Sequence, residues 1–87
     1  MRFTHKTLPS FWRSYSNLPQ DLQRRADKQY ELLVQDPVHP SLQLKPVGAF
    51  WSVRVTDACR ALSIRRQNEF VWFWIGNHDD YERLLKG

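Results

Sequence analysis

Residues 70–85 read FVWFWIGNHDDYERLL, and the way this stretch divides decides the fold. Its first six positions are all apolar, so an extended segment here has no side to offer water. Six residues rich in aromatic and β-branched types suit a strand better than a helix. The reading is a central strand with both faces covered, ended by Gly76. The pattern then changes. Asp79 followed three residues later by Glu82 has the spacing of a capping box, with Asp in place of Ser or Thr, and a short C-terminal helix follows. GNHDDY is therefore either a helix entrance or a reactive site placed at one. An imidazole, two carboxylates and a phenol fall within its six positions.

Upstream of this strand the apolar period is two. Trp51, Val53 and Val55 alternate with Ser52, Arg54 and Thr56, and Arg60, Leu62 and Ile64 share one face of CRALSIRR. Leu42 and Leu44 begin a further strand before the turn at Val47-Gly48. Thr56-Asp57 and RRQNE supply the turns between the later strands. Before Pro40 the period is helical. Leu22, Ala26, Tyr30 and Leu33 draw one face of a helix over roughly 19–35, stopped by QDPVHP, since residues before proline leave the α region. Phe11, Tyr15 and Leu18 form the stripe of a shorter helix started by Pro9, and Asn17 offers a cap for the helix after it. RFTHK at 2–6 alternates briefly, as a short edge strand would. The expected fold is α+β. An N-terminal short strand and an antiparallel helical hairpin pack on a twisted, mostly antiparallel sheet, and a short C-terminal helix ends a single domain over 1–87.

Composition narrows the function. One cysteine, Cys59, excludes an internal disulfide and any Cys-rich zinc site, which fits a reducing cytoplasm. No HxH, HExxH or CxxC spacing supports a metal, and no cofactor motif is present. The N-terminus lacks a secretory h-region, and FVWFWI is far short of the roughly 20 residues that cross a bilayer. A net charge of +4 leans towards an acidic partner such as nucleic acid.

Three residues invite a chemical reading against a plainer one. By strand parity Arg54 lies on the solvent side, either as an arginine whose stem covers the sheet or as a guanidinium offered to phosphate. Arg60 shares its face with Leu62 and Ile64, so it calls for an anionic partner or a ligand. His78 stands just past the strand, as a solvated imidazole or as an acid–base group. Tyr81 either packs under its helix or faces outward beside His78.

DP-x-HPSL-x-LKPV at 36–47, WSVRVTDACRAL at 51–62 and VWFWIGNHDDYERLL at 71–85 resemble the RelE/ParE superfamily of bacterial type II toxins. The closest likeness is to RelE-like members ending in a strand, Gly, and His-Asp-x-Tyr. The resemblance spans almost the whole chain. It implies a small toxin, monomeric alone, held by a cognate antitoxin, and acting in the cytoplasm on mRNA at the ribosome without a metal or cofactor. The implied reaction is attack of the ribose 2′-hydroxyl on the adjacent phosphodiester. His78 would transfer a proton, Arg54 and Arg60 would hold the phosphate, and Tyr81 would stack on a displaced base or reach the phosphate. Lys45 matches a position where the family often has a basic residue, and Arg65 and Arg66 would add substrate-binding charge. Two alternatives stand beside this: a ParE-like toxin that binds DNA gyrase, and an inactive module that binds only the antitoxin.

Overall fold

The structure, a computed structural model, describes residues 3–86, so Arg2, the first residue of the RFTHK stretch, lies outside it. Over the described residues the chain runs β1 (Thr4–Thr7), α1 (Pro9–Ser16), α2 (Gln20–Gln35), a 3-10 turn (Pro40–Leu42), β2 (Lys45–Val47), β3 (Phe50–Thr56), β4 (Cys59–Arg66), β5 (Glu69–Asn77) and α3 (His78–Lys86). The strands form one sheet in the order β1-β5-β4-β3-β2. Only the β1–β5 pair is parallel. This is the expected α+β arrangement, with β5 paired on both sides. No helix of the described residues is long and apolar enough to cross a membrane.

The helical pair covers one face of the sheet. Phe11, Tyr15 and Leu18 from the first helix and its exit, with Leu22, Ala26 and Leu33 from α2, pack against Val53, Val55, Ala61, Phe70, Trp72 and Ile75. Phe70 has no exposed surface, a burial worth about 1.5–3 kcal/mol for a side chain of that size. Tyr30, expected on the buried face of α2, is instead 49% exposed at the rim of a cleft. On the opposite face Leu62 is fully buried, and α3 packs against β4 and β5 to bury Tyr81.

Register shifts interrupt two ladders and set what each face carries. Leu62 pairs with Trp74 but Ser63 with Trp72, so Phe73 is skipped. An extra residue of this kind re-aims the side chains beyond it. That is how Phe70, Trp72 and Ile75 all reach the helix-side core although strict alternation would separate Ile75 from the other two. β1 leaves β5 after Thr7–Trp72, which strands backbone groups that need partners. Two serines of α1 supply them: Ser10 Oγ donates to the Phe73 carbonyl (2.8 Å), and Ser14 Oγ accepts from the Ile75 N–H (3.2 Å).

Four local readings are corrected. Leu42 and Leu44 do not begin a strand: Leu42 ends the 3-10 turn, Gln43 turns left-handed, and β2 opens only at Lys45. Gly76 does not end the strand, which continues to Asn77. Asp79 is not the helix cap: Asn77 Oδ1 accepts the Asp80 N–H at 2.8 Å, so Asn77 satisfies the first turn of α3. Asn17 does not cap α2, whose N-cap is Pro19. Its N–H closes the end of α1 on the Ser14 and Tyr15 carbonyls.

Candidate functional site

Arg54 and Arg60 are direct partners across the β3–β4 ladder, and Gly76 of β5 stands beside Arg60. Like charges placed opposite one another repel, so each guanidinium needs a local acceptor. Arg54 finds a carboxylate. Its Nε and Nη2 both donate to Asp57 Oδ1, at 3.1 and 2.6 Å, while Nη1 donates to the Ser41 carbonyl at 3.4 Å. Arg60 finds backbone: Nη1 donates to the carbonyls of Thr56 and Cys59. Among the described residues, Nε and Nη2 of Arg60 make no hydrogen bond, which leaves one edge of its donor fork open.

The turn between β3 and β4 ties these residues to the histidine. Thr56 Oγ1 accepts the Ala58 N–H at 3.2 Å, and the Ala58 carbonyl accepts the His78 N–H at 2.9 Å. Four residues of turn thus carry Asp57 for Arg54, two carbonyls for Arg60 and one for His78. The His78 side chain is half exposed. Its Nε2 lies 3.5 Å from Glu82 Oε1, one helical turn on. Tyr81 packs under α3 and is 6% exposed, its ring centroid 5.8 Å from that of His78. A phenol so deeply buried has little ring surface to offer a base.

The hydrogen bonds from Arg54, and then its charge, hold the Asp57 carboxyl below the usual carboxylate range, with a smaller contribution from Arg60. Burial acts in the opposite direction on the neighbouring thiol. Cys59 has no exposed surface and its pKa is pushed up to about 11, the Arg60 charge offsetting part of that rise. The thiol is therefore inert beside the site.

Of the other basic residues expected to bind substrate, Lys45 lies nearest to the two arginines. It pairs with Ser52, two residues from Arg54 on β3, and is exposed. Arg65 and Arg66 lie farther off. Arg65 lies five residues along β4 from Arg60, about 17 Å at strand rise. Its guanidinium sits over the rings of Phe3, Trp51 and Phe70, at 5.0, 4.9 and 5.5 Å. Arg66 pairs with Glu69 next to the hairpin tip. Both belong to the far end of the sheet. Asp57 and Glu82 were not read as site residues, the first because it stood in a turn and the second because it fitted a capping box. The i, i+3 step from Arg54 to Asp57 was the available signal.

Among the described residues no three His, Cys, Asp or Glu side chains gather as metal ligands. A cleft of about 490 Å³ opens on the helix-covered side, lined by Phe11, Trp12, Tyr15, Tyr30 and Trp72 among others, and by no arginine or lysine. The chemistry-bearing residues lie away from it, on the sheet end beside α3. Their arrangement is that of a candidate anion site: two cross-strand guanidiniums, one with a free donor edge, on a turn that also holds the His78 backbone N–H.

Several solved toxins share this fold. YafQ from E. coli strain BL21(DE3) is 8% identical over 92% of this chain and 98% of its own, with a TM-score of 0.72. The RelB–RelE antitoxin–toxin complex from Methanococcus jannaschii gives 8% identity, 91% and 96% coverage, and a TM-score of 0.70. The RelBE2 toxin–antitoxin complex from Mycobacterium tuberculosis gives 15%, 90% and 100%, and 0.66. No protein-family model and no curated protein matches the sequence. The fold is that of the RelE and YafQ toxins.

Proposed function

We propose that this chain is the toxin of a type II toxin–antitoxin pair and that it cleaves mRNA at the ribosome, in the cytoplasm, by transesterification. The observation that carries this reading is the convergence on one turn of Arg54, Arg60 and His78, with the Nε and Nη2 edge of Arg60 open. Cleavage through the 2′-hydroxyl needs a group that moves a proton and donors that meet the charge of a phosphorane. His78 serves the first need. The open edge of Arg60 binds two phosphate oxygens, and Arg54 adds charge from the opposite strand. Lys45, a step along the same face, contacts the backbone of the bound strand. The shared fold with RelB–RelE and RelBE2 complexes supports a cognate antitoxin as partner.

Primer extension on mRNA after brief induction tests this. Wild type should arrest growth and leave discrete cleavage ends. His78→Ala and Arg60→Ala should each lose about 100-fold or more in cleavage, the scale of a proton-transfer group or an oxyanion donor. Folded His78→Ala and Arg60→Ala proteins that both cut mRNA at the wild-type rate would refute the assignment. Growth arrest with DNA-damage signalling and no cleavage would point to gyrase instead. Co-expression with the neighbouring gene product should restore growth and raise the melting temperature of the toxin. No shift would count against an antitoxin there.

A further inference from the structure

Asp57 has no assigned part in the chemistry above, yet it occupies the better donor edge of one of the two site arginines. Nε and Nη2 of Arg54 form the edge that takes two oxygens of a phosphate or carboxylate, and both converge on the single atom Asp57 Oδ1. We propose that Asp57 is a resident anion in the phosphate site: its carboxylate fills the Arg54 fork until an incoming phosphate group takes its place. This inference rests on the reading of Arg54 and Arg60 as phosphate-binding residues and concerns how that site is kept from free anions.

The exposures fit an exchange. The Asp57 side chain is 94% exposed and that of Arg54 only 26%. The carboxylate can therefore swing into water with nothing buried lost, while the guanidinium stays held by the Ser41 carbonyl. A pair with one partner so exposed is weak, which lets it be displaced. The opposing arginine supplies the incentive. A phosphate that reaches both the open edge of Arg60 and the vacated edge of Arg54 gains two charge-assisted contacts for the one it breaks. An ordinary aspartate is already ionised at neutral pH and Arg54 lowers this one further, so the competitor is present throughout the neutral range.

The exchange sets a threshold. A free phosphate ion or a loose RNA must outcompete a tethered carboxylate three residues away in sequence, which acts at high effective concentration. A phosphodiester already held in place by other contacts meets that competition on equal terms. The device therefore favours substrate presented by a larger assembly over RNA in solution.

Inorganic phosphate is the probe, titrated at low ionic strength into the folded full chain. Asp57→Asn should bind phosphate a few-fold more tightly than wild type, the scale of an exposed ion pair. Glu31→Gln makes the same change in net charge on the exposed side of α2 and should give no gain. Arg54→Gln/Asp57→Asn should lose the gain. In the unmutated protein, phosphate should move the Arg54 Nε–H resonance, a readout that does not depend on any variant folding. The proposal is overturned if Asp57→Asn binds no tighter than wild type, if the gain survives loss of Arg54, if Glu31→Gln gains as much, or if saturating phosphate leaves the Arg54 resonance in place. Cleavage assays report separately. Phosphate exchange in a protein that never cuts RNA would retain this inference and discard the nuclease reading. Cleavage without exchange would do the reverse.

Discussion

Gly76→Ala is the sharpest test of how the sheet builds this site. A Cβ added at Gly76 would lie 2.9 Å from Cη2 and 3.1 Å from Cε2 of Trp74, and closer still to Cζ2. These atoms belong to one rigid ring, half-buried against the sheet, and cannot yield singly. Either the indole swings off its seat or β5 shifts at the point where it pairs with Arg60 and leads into His78. Overpacking of this kind costs typically 1–3 kcal/mol. For a domain of this size each kcal/mol lowers the melting temperature by about 4–8 °C, so a cost near 2 kcal/mol predicts a fall of about 8–16 °C.

The cause is separable from any general intolerance of β5 to substitution. In a Trp74→Ala background the ring is gone, and Gly76→Ala should then cost less than about 0.5 kcal/mol. It could even stabilise slightly by restricting the unfolded chain. The four proteins of the cycle, melted by circular dichroism, give the coupling directly. If the alanine costs the same with and without Trp74, or if Gly76→Ala melts like wild type, the steric account is wrong.

Asn77→Ala removes the side-chain acceptor for the Asp80 N–H and should destabilise by about 1 kcal/mol in a thermal melt. Asp79→Ala should stay within about 0.5 kcal/mol of wild type, and the opposite ranking would return the cap to Asp79. Cys59, with its thiol raised to about 11 by burial, should resist iodoacetamide in the native state and label at the rate of unfolding, as followed by mass spectrometry. Rapid native labelling would contradict the burial. His5 accepts a hydrogen bond from Trp72 Nε1 at Nδ1 (3.1 Å), and burial lowers its pKa from the ordinary 6.5. The unfolded chain therefore takes up the proton first. The contribution of His5 is whole above about pH 6.5 and is lost as the pH falls through its lowered folded value. Urea midpoints should drop between about pH 7.5 and about pH 5. His5→Asn, which keeps an acceptor near the Nδ1 position, should shrink that drop; an unchanged drop would remove His5 as its source.

The sheet was legible where burial alone decides. FVWFWI is apolar on both sides, and it lies in β5, one of the three inner strands, next to the middle strand β4. The helical stripe of Phe11, Tyr15 and Leu18 likewise met the core. What sequence periodicity could not show is register, because a one-residue shift leaves no trace in an aromatic run or in a β-branched one. The site depends on such a shift. Continuing the Thr56–Cys59 register would pair Arg54 with Ala61, and the two arginines would point to opposite faces. The irregularity at Val55 moves the ladder by one and sets Arg54 against Arg60. Ser10 and Ser14, polar positions on a short helix, acquire their purpose only once Phe73 is known to be skipped and β1 to stop short. Gly76 was misread for a related reason: glycine in a strand signals a stop or a close approach, and composition does not say which. Here it is the approach of the Trp74 ring, across the ladder from Arg60 and two residues before His78, that demands the missing side chain. The same contact that cannot be read from the sequence is thus part of what brings a readable arginine and a readable histidine to one end of the sheet.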